Sequence, residues 1–196
     1  MKPVRILVET LVDQKLTNAQ MTNGRDIIAR LDPARFHVTT FVLSTPDPDI
    51  SRRPNTRLIR LPNRYQTIKI LLEFIFGNHE ILFYVKASPA SRWYVKLKSA
   101  RKDGRVTIGT LESQSNLRAE PTITRDNIRL WEQTVLRCDY LFSNSNAVKR
   151  SLESEYGIAS EVVPTGVDTS FFTPDWYRVA NARPLVLFVG SLRHFK

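Results

Sequence analysis

Cysteine is almost absent: Cys138 is the single one among 196 residues. It cannot close an internal disulfide, which excludes a disulfide-stapled secreted scaffold. Histidine is nearly as scarce, and His37, His79 and His194 have no zinc-site spacing with that lone cysteine. Seven glycines are present. None falls in G-x-G-x-x-G or G-x-x-x-x-G-K-[ST], so the dinucleotide fingerprint and the Walker A loop are both missing. The longest apolar region, 68–85, is broken by Lys69, Glu73, Asn78, His79 and Glu80 and does not read as a membrane-spanning helix. The opening MKPVRILVET lacks the apolar stretch of a signal peptide. A cytoplasmic protein is the expectation. Acid is also in short supply, with 19 Asp+Glu against 29 Lys+Arg and a formal charge of +10.

What the chain does contain is a regular alternation. Strands are expected at 4–9, 37–43, 57–61, 81–86, 106–111, 140–143, 161–163 and 185–189. Most are continuous apolar runs, which suit strands covered on both faces in a parallel sheet. Between them lie helical patterns. Ile68, Leu71, Leu72, Ile75 and Phe76 follow the spacing of one apolar helix face. Ser88-Pro89 starts a helix, with a capping hydroxyl and then proline in the first turn, and its buried stripe is expected at Trp93, Leu97 and Ala100. Ile128, Trp131, Val135 and Cys138 predict another helix. Val148, Leu152 and Tyr156 predict a further one, which Gly157 ends. This order predicts a doubly wound α/β domain with a mainly parallel, Rossmann-like sheet, whose ligands sit outside the carboxyl ends of the strands. Residues 173–184 read as a polar linker. Residues 185–196, with the run LVLFVGSL, read as the first strand and loop of a second domain cut short.

Three motifs then carry a resemblance. Val163-Pro164-Thr165-Gly166-Val167-Asp168, followed by Phe172 and Pro174, resembles the I-P-N-G-V-D-x-x-x-F-x-P signature of family 4 glycosyltransferases, the "group 1" family. Upstream, Cys138-Asp139-Tyr140-Leu141-Phe142-Ser143-Asn144-Ser145, with Leu152 and Tyr156-Gly157, is similar to the family's A-D-x-v-i-x-x-S…L…y-G segment. Downstream, Leu187-Phe188-Val189-Gly190-Ser191-Leu192 and Lys196 resemble F-V-G-R-L-x-x-x-K-G. The resemblance implies a GT-B architecture, with residues 1–172 as the N-terminal acceptor-side domain and the nucleotide-sugar site mostly in the second. The family's E-x7-E donor motif would lie beyond Lys196.

It also implies a set of site residues. Gly190, Ser191, Arg193 and Lys196 would bind the donor diphosphate through backbone N–H groups and cations. The donor would be a UDP- or GDP-linked sugar, with no other cofactor and no metal. The loop after the first strand, where the family often has Gly-Gly, reads Asn18, Ala19 and Gln20 on the acceptor side. Glu112 stands where the family commonly has a histidine, at the carboxyl end of a central strand. It is the candidate catalytic base for an acceptor hydroxyl. A cap or salt bridge to Arg118 or Arg105 is the structural alternative.

Asp47-Pro48-Asp49 imitates a D-x-D metal motif, but the alternating prolines spell a surface turn. Arg52, Arg53, Arg57, Arg60, Arg64 and Lys69, with no acid between 51 and 72, form a basic stretch, and Arg92, Lys96, Lys98, Arg101 and Lys102 add to it. It suits a carbohydrate or lipid-linked acceptor, or peripheral contact with an anionic membrane. The function expected is transfer of a sugar to an acceptor hydroxyl, with the fragment itself inactive. The alternative is a non-catalytic basic α/β module that docks on an anionic membrane or a partner. A nucleic-acid protein ranks last, because no RRM, KH, zinc-finger or basic-zipper pattern is present.

Overall fold

The apolar run at Val4–Leu11 becomes β1, the third strand of a seven-stranded sheet ordered β3-β2-β1-β4-β5-β6-β7. The structure, a computed structural model, describes residues 2–15, 18–101, 104–112, 125–164 and Gly166. The other strands are β2 (Phe36–Val42), β3 (Thr56–Arg60), β4 (Ile81–Val85), β5 (Val106–Leu111), β6 (Tyr140–Ser143) and β7 (Glu161–Val162). Every pairing between them is parallel, so all carboxyl ends point to one edge. The order reverses between β1 and β4, the position where such sheets open a crevice. The α/β, Rossmann-like domain expected from the sequence is therefore present.

Helices cover both faces. On one, Ile28 of α1 (Ala19–Arg30) and Ile50 of α2 (Pro48–Arg52) pack on Ile6, Val8 and Val38. On the other, Phe74 of α3 (Gln66–Phe76) with Ala90 and Tyr94 of α4 (Pro89–Arg101) pack on Leu7, Phe41 and Leu82. A third cluster joins Leu111, Leu141 and Val135 to Val148 and Leu152 of α6 (Asn146–Tyr156). Each fully buried side chain of this size contributes roughly 1.5–3 kcal/mol. The helix ends follow their chemistry. Ser145 caps α6 by accepting the Val148 N–H, and Gly157 ends it at φ 65°, a left-handed conformation costly for any side chain.

Three expected helix patterns change in the structure. The stripe expected on α3 is split: Leu71 and Ile75 pack inward, whereas Ile68, Leu72 and Phe76 are exposed. The inward face belongs instead to Ile70, Phe74 and the buried Glu73. On α4 the buried positions are Ala90, Ser91 and Tyr94, while Trp93 is half exposed with the Lys96 ammonium 5.4 Å from its ring centre. The single helix expected through 128–138 is two elements, α5 (Arg125–Glu132) and a 3-10 turn at Val135–Arg137. They are separated where the Thr134 hydroxyl bonds back to the Leu130 carbonyl.

Polar groups lock the layers together. Arg105, just before β5, donates to the carbonyls of Phe74, Ile75 and Gly77 at the open end of α3. A cation there satisfies orphan carbonyls and complements the helix dipole. Arg105→Met is expected to lower stability by about 1–2 kcal/mol, seen as a lower urea midpoint with an unchanged slope. An unchanged midpoint would show that the contact contributes nothing. Asp139, in the second family-like motif, accepts the Thr107 N–H and hydroxyl at 2.7 Å each and pairs with Lys98. Partial burial works against its charge. The Lys98 ammonium and the Thr107 donors nonetheless hold it below the usual carboxylate range. The expected linker at 173–184 and the stub at 185–196 lie outside the described residues.

Candidate functional site

Glu112 follows directly on β5 and stands at the carboxyl edge of the sheet, half-buried. Its Oε1 accepts two hydrogen bonds, one from the Asn23 side-chain amide at 3.0 Å and one from the Tyr84 hydroxyl. Its own backbone carbonyl accepts from the Asn144 side chain at 2.6 Å, so the end of β6 also fixes it. Arg105 is committed to α3, and Arg118 lies outside the described residues.

The partners arrive by distinct local devices. Tyr84 has φ 67°, a left-handed backbone in a non-glycine residue, at a register shift where Phe83 faces Ile108 and Val85 faces Gly109. One extra residue thus sits in β4 as a bulge. Ordinary alternation would send Phe83 and Tyr84 to opposite faces. With the bulge, both join the cluster on the α1 side, while Leu82 and Val85 both join the other. That turn of parity aims the Tyr84 phenol at Glu112. Burial, and then the Glu112 carboxylate, push its pKa upward, so it stays a proton donor to the carboxylate.

Asn23 comes from the second turn of α1, which runs close to β1. A Cβ at Gly24 would meet the Thr10 side chain at 2.8–3.0 Å, so only glycine permits this approach without displacing Thr10. Asn18, expected to face the acceptor, is the N-cap of α1 and spends its carboxamide oxygen on the Met21 N–H at 2.8 Å. Ala19 opens the helix, and Gln20 is exposed. The residue of this region that reaches Glu112 is Asn23.

A second carboxylate, Glu9, lies on the other side of the sheet edge, 5% exposed. It accepts the Lys86 N–H at 2.9 Å and hydroxyl hydrogen bonds from Ser91 at 3.0 Å and Ser88 at 3.3 Å. Burial raises its pKa from 4.5 to about 7, against the pull of Lys86 and the two serines. Lys86 follows β4 and feels both carboxylates. Burial lowers its pKa, opposed first by Glu9 and then by Glu112. The carboxyl edge therefore carries Glu9, Lys86, Tyr84, Glu112, Asn23 and Asn144 together. Of these, sequence reasoning had singled out Glu112 alone. A signal was present for two others: Glu9 interrupts an apolar strand run, and Lys86 ends one.

Asp47 of the D-x-D look-alike caps α2 through the Asp49 N–H at 3.0 Å and lies 3.8 Å from Arg25. Among the described residues no group of three or more His, Cys, Asp or Glu side chains is arranged to hold a metal ion. A shallow cavity of about 230 Å³, lined by Cys138, Asp139, Tyr140 and Ser160 among others, opens at the amino end of β6, the edge opposite Glu112. Burial raises the Cys138 pKa to about 12, so it remains a thiol.

The basic stretch also divides. Arg53 is buried and bonds the Leu31 carbonyl at 2.8 Å, Arg57 pairs with Glu73 at 3.1 Å, and Lys98 pairs with Asp139. Arg52, Arg60, Arg64, Lys69 and Lys96 are exposed. The expected diphosphate residues Gly190, Ser191, Arg193 and Lys196 lie outside the described residues, as do Asp168 and Phe172.

Residues 25–171 match the model of the family described as Glycosyltransferase Family 4. Among solved structures, the HepE protein of Anabaena, in complex with UDP and glucose, matches with a TM-score of 0.52 at 10% identity, over 83% of this chain and 45% of that one. A UDP-N-acetylglucosamine 2-epimerase matches with a TM-score of 0.53 at 12% identity, over 84% of this chain and 48% of that one. The chain spans less than half the length of either. At such identities the likeness is one of fold. No curated protein matches the sequence.

Proposed function

The chain belongs to glycosyltransferase family 4, and on that premise we propose that it is the acceptor-side half of an enzyme that moves a sugar from a nucleoside diphosphate sugar to an acceptor hydroxyl. The observation that carries the reading is the Glu112 carboxylate, held by Tyr84 and Asn23 at the carboxyl edge of central strands. In this reading the acceptor oxygen attacks the anomeric carbon, the bond from that carbon to the diphosphate oxygen breaks, and the acceptor proton passes to Glu112 Oε2. Two donors on Oε1 fix the carboxylate plane, so the other oxygen is pre-aimed rather than free to rotate. Lys86 adds positive charge beside it.

Charge grows on the leaving diphosphate, and cations with backbone N–H groups must stabilise it there. Gly190, Ser191, Arg193 and Lys196 are assigned that role on the family resemblance, together with a second domain outside this chain. The coverage of less than half of each solved relative supports that division. A hexosyl donor carried on UDP or GDP, and transfer without a metal, belong to the same proposal.

The test is a nucleotide-release assay with UDP- and GDP-sugars. The protein carrying both domains should release nucleoside diphosphate in an acceptor-dependent way, and the 196-residue chain alone should release none. Sustained transfer by the 196-residue chain would overturn the division of labour. Acceptor-independent release alone by the longer protein would overturn the assignment of an acceptor-side role.

A further inference from the structure

We propose that the outer face of α3 and α4 rests on an anionic lipid bilayer. On α3, Tyr65 at the N-cap is 74% exposed, Ile68 53%, Leu72 45% and Phe76 75%. Their spacing of three, four and four residues places them on one ridge, opposite Phe74, which is fully buried against the sheet. Helix α3 thus carries apolar rows on both its inner and its outer side, and the sheet covers only the inner one. A soluble helix ordinarily turns charge toward water on its outer face. The ridge is roughly 16 Å long, from the rise of a helix over eleven residues. Trp93 of the adjoining α4 is also exposed and faces outward with Lys96 beside it. Aromatic rings with one polar edge, such as Tyr65 and Trp93, favour the headgroup depth of a membrane.

The charge around the ridge selects the occupant. Lys69 lies on the ridge itself, Arg64 precedes it, and Lys96 lies beside Trp93, all exposed. The single acid on α3, Glu73, is buried against His79 and Arg57, and α4 has no acid. An apolar stripe rimmed by cations alone is the pattern of a helix lying in the interface of an anionic membrane. A second copy of the same face would bring like charges together, which disfavours self-association. No described helix is long and apolar enough to cross the membrane, so the contact is peripheral. The inference stands apart from the chemistry at Glu112, which lies at the carboxyl edge of the sheet rather than on the outer side of this helical layer.

The experiment is co-sedimentation of the full protein with vesicles of phosphatidylcholine alone and of phosphatidylcholine with phosphatidylglycerol. Binding to the mixed vesicles, weaker on the neutral ones and released by salt, is expected. The combined variant Ile68→Ser, Leu72→Ser, Phe76→Ser should lower the partition coefficient on the order of tenfold or more, with an unchanged melting temperature. Lys69→Glu with Lys96→Glu should remove the preference for anionic vesicles. If the triple variant fails to fold, Phe76→Ser, at the most exposed of the three positions, carries the same test with a smaller drop. Failure of the parent protein to bind mixed vesicles would overturn the proposal. So would equal partition of parent and serine variants, or a ridge-dependent dimer in sedimentation velocity that the serines dissolve.

Discussion

In the proposed two-domain enzyme, Glu112→Gln is expected to lower kcat by roughly 10²–10⁴-fold while the melting temperature stays close to that of the parent. The glutamine keeps the volume of the side chain. Its carbonyl oxygen can still accept from Tyr84 and Asn23, the two bonds now on Oε1. What is lost is the ability to take a proton at the other position. Acceptor KM should therefore change little, because the groups that place the side chain remain. A merely structural role for Glu112 would give the opposite pattern, a lowered melting temperature with kcat almost unchanged in the folded fraction. Tyr84→Phe separates positioning from proton transfer. It leaves the carboxylate but removes one of its two anchors, so a smaller loss in kcat is expected than for Glu112→Gln. A larger loss would shift the proton-transfer role toward the phenol.

The second large effect concerns Glu9 and is read in stability against pH. Its folded pKa is about 7, raised from 4.5 by burial. Below pH 4.5 the carboxyl is protonated in both folded and unfolded chains, and its favourable contribution is fully present. Between 4.5 and about 7 the unfolded chain ionises while the folded one resists, so stability falls as pH rises. Above that window both are ionised and the loss is complete. The span corresponds to about 3 kcal/mol. Glu9→Gln abolishes the titration. Its carbonyl can accept the Lys86 N–H and the Ser91 hydroxyl, and its amide can donate to Ser88, the partners that Glu9 now holds. The variant is expected to be more stable than the parent at pH 8 and to lose the parent's decline between pH 4.5 and 7. Urea midpoints of the two proteins at pH 4.5 and pH 8 check this, and parallel pH profiles would refute it.

The sheet was legible in the sequence because parallel strands covered on both faces are continuous apolar runs. Residues 106–111 and 140–143 were expected as strands and are the observed β5 and β6. The helices were found by their spacing, but the spacing names a face only when the other face is polar. On α3 the rows Ile68-Leu72-Phe76 and Ile70-Phe74 are both apolar, so periodicity could not tell which one the sheet would take. On α4 the choice between Trp93 and Tyr94 depended on which ring met Phe74, whose centre lies 5.6 Å from that of Tyr94.

The position of Glu112 was legible, since the run 106–111 reads as a central strand and Glu112 follows it at the edge where such sheets place ligand groups. Tyr84 was hidden because a simple alternation puts it on the wrong face, and only the left-handed turn at its own φ corrects this. Asn23 was hidden because it depends on how closely α1 approaches Thr10, a distance set by Gly24. The family motifs placed the fold well, and in their described part Asp139, Ser145 and Gly157 serve packing and capping while Asn144 reaches the Glu112 carbonyl.

The strand order has a kinetic side. β1 lies between β2, which follows it directly, and β4, whose Leu82 pairs with Leu7 across 75 positions of chain. At about 5–20 residues synthesised per second, β1 waits roughly 4–15 seconds for that second neighbour. Until then one edge of an apolar strand stays unpaired, a template for wrong partners. The hydrogen bonds to Glu9, near the end of β1, come from groups that follow β4, namely Lys86, Ser88 and Ser91. During that interval it is therefore a solvated, charged carboxylate on the open strand. The residue expected to weaken the finished domain at neutral pH is thus one that places a charge on its unfinished edge while the chain is still being made.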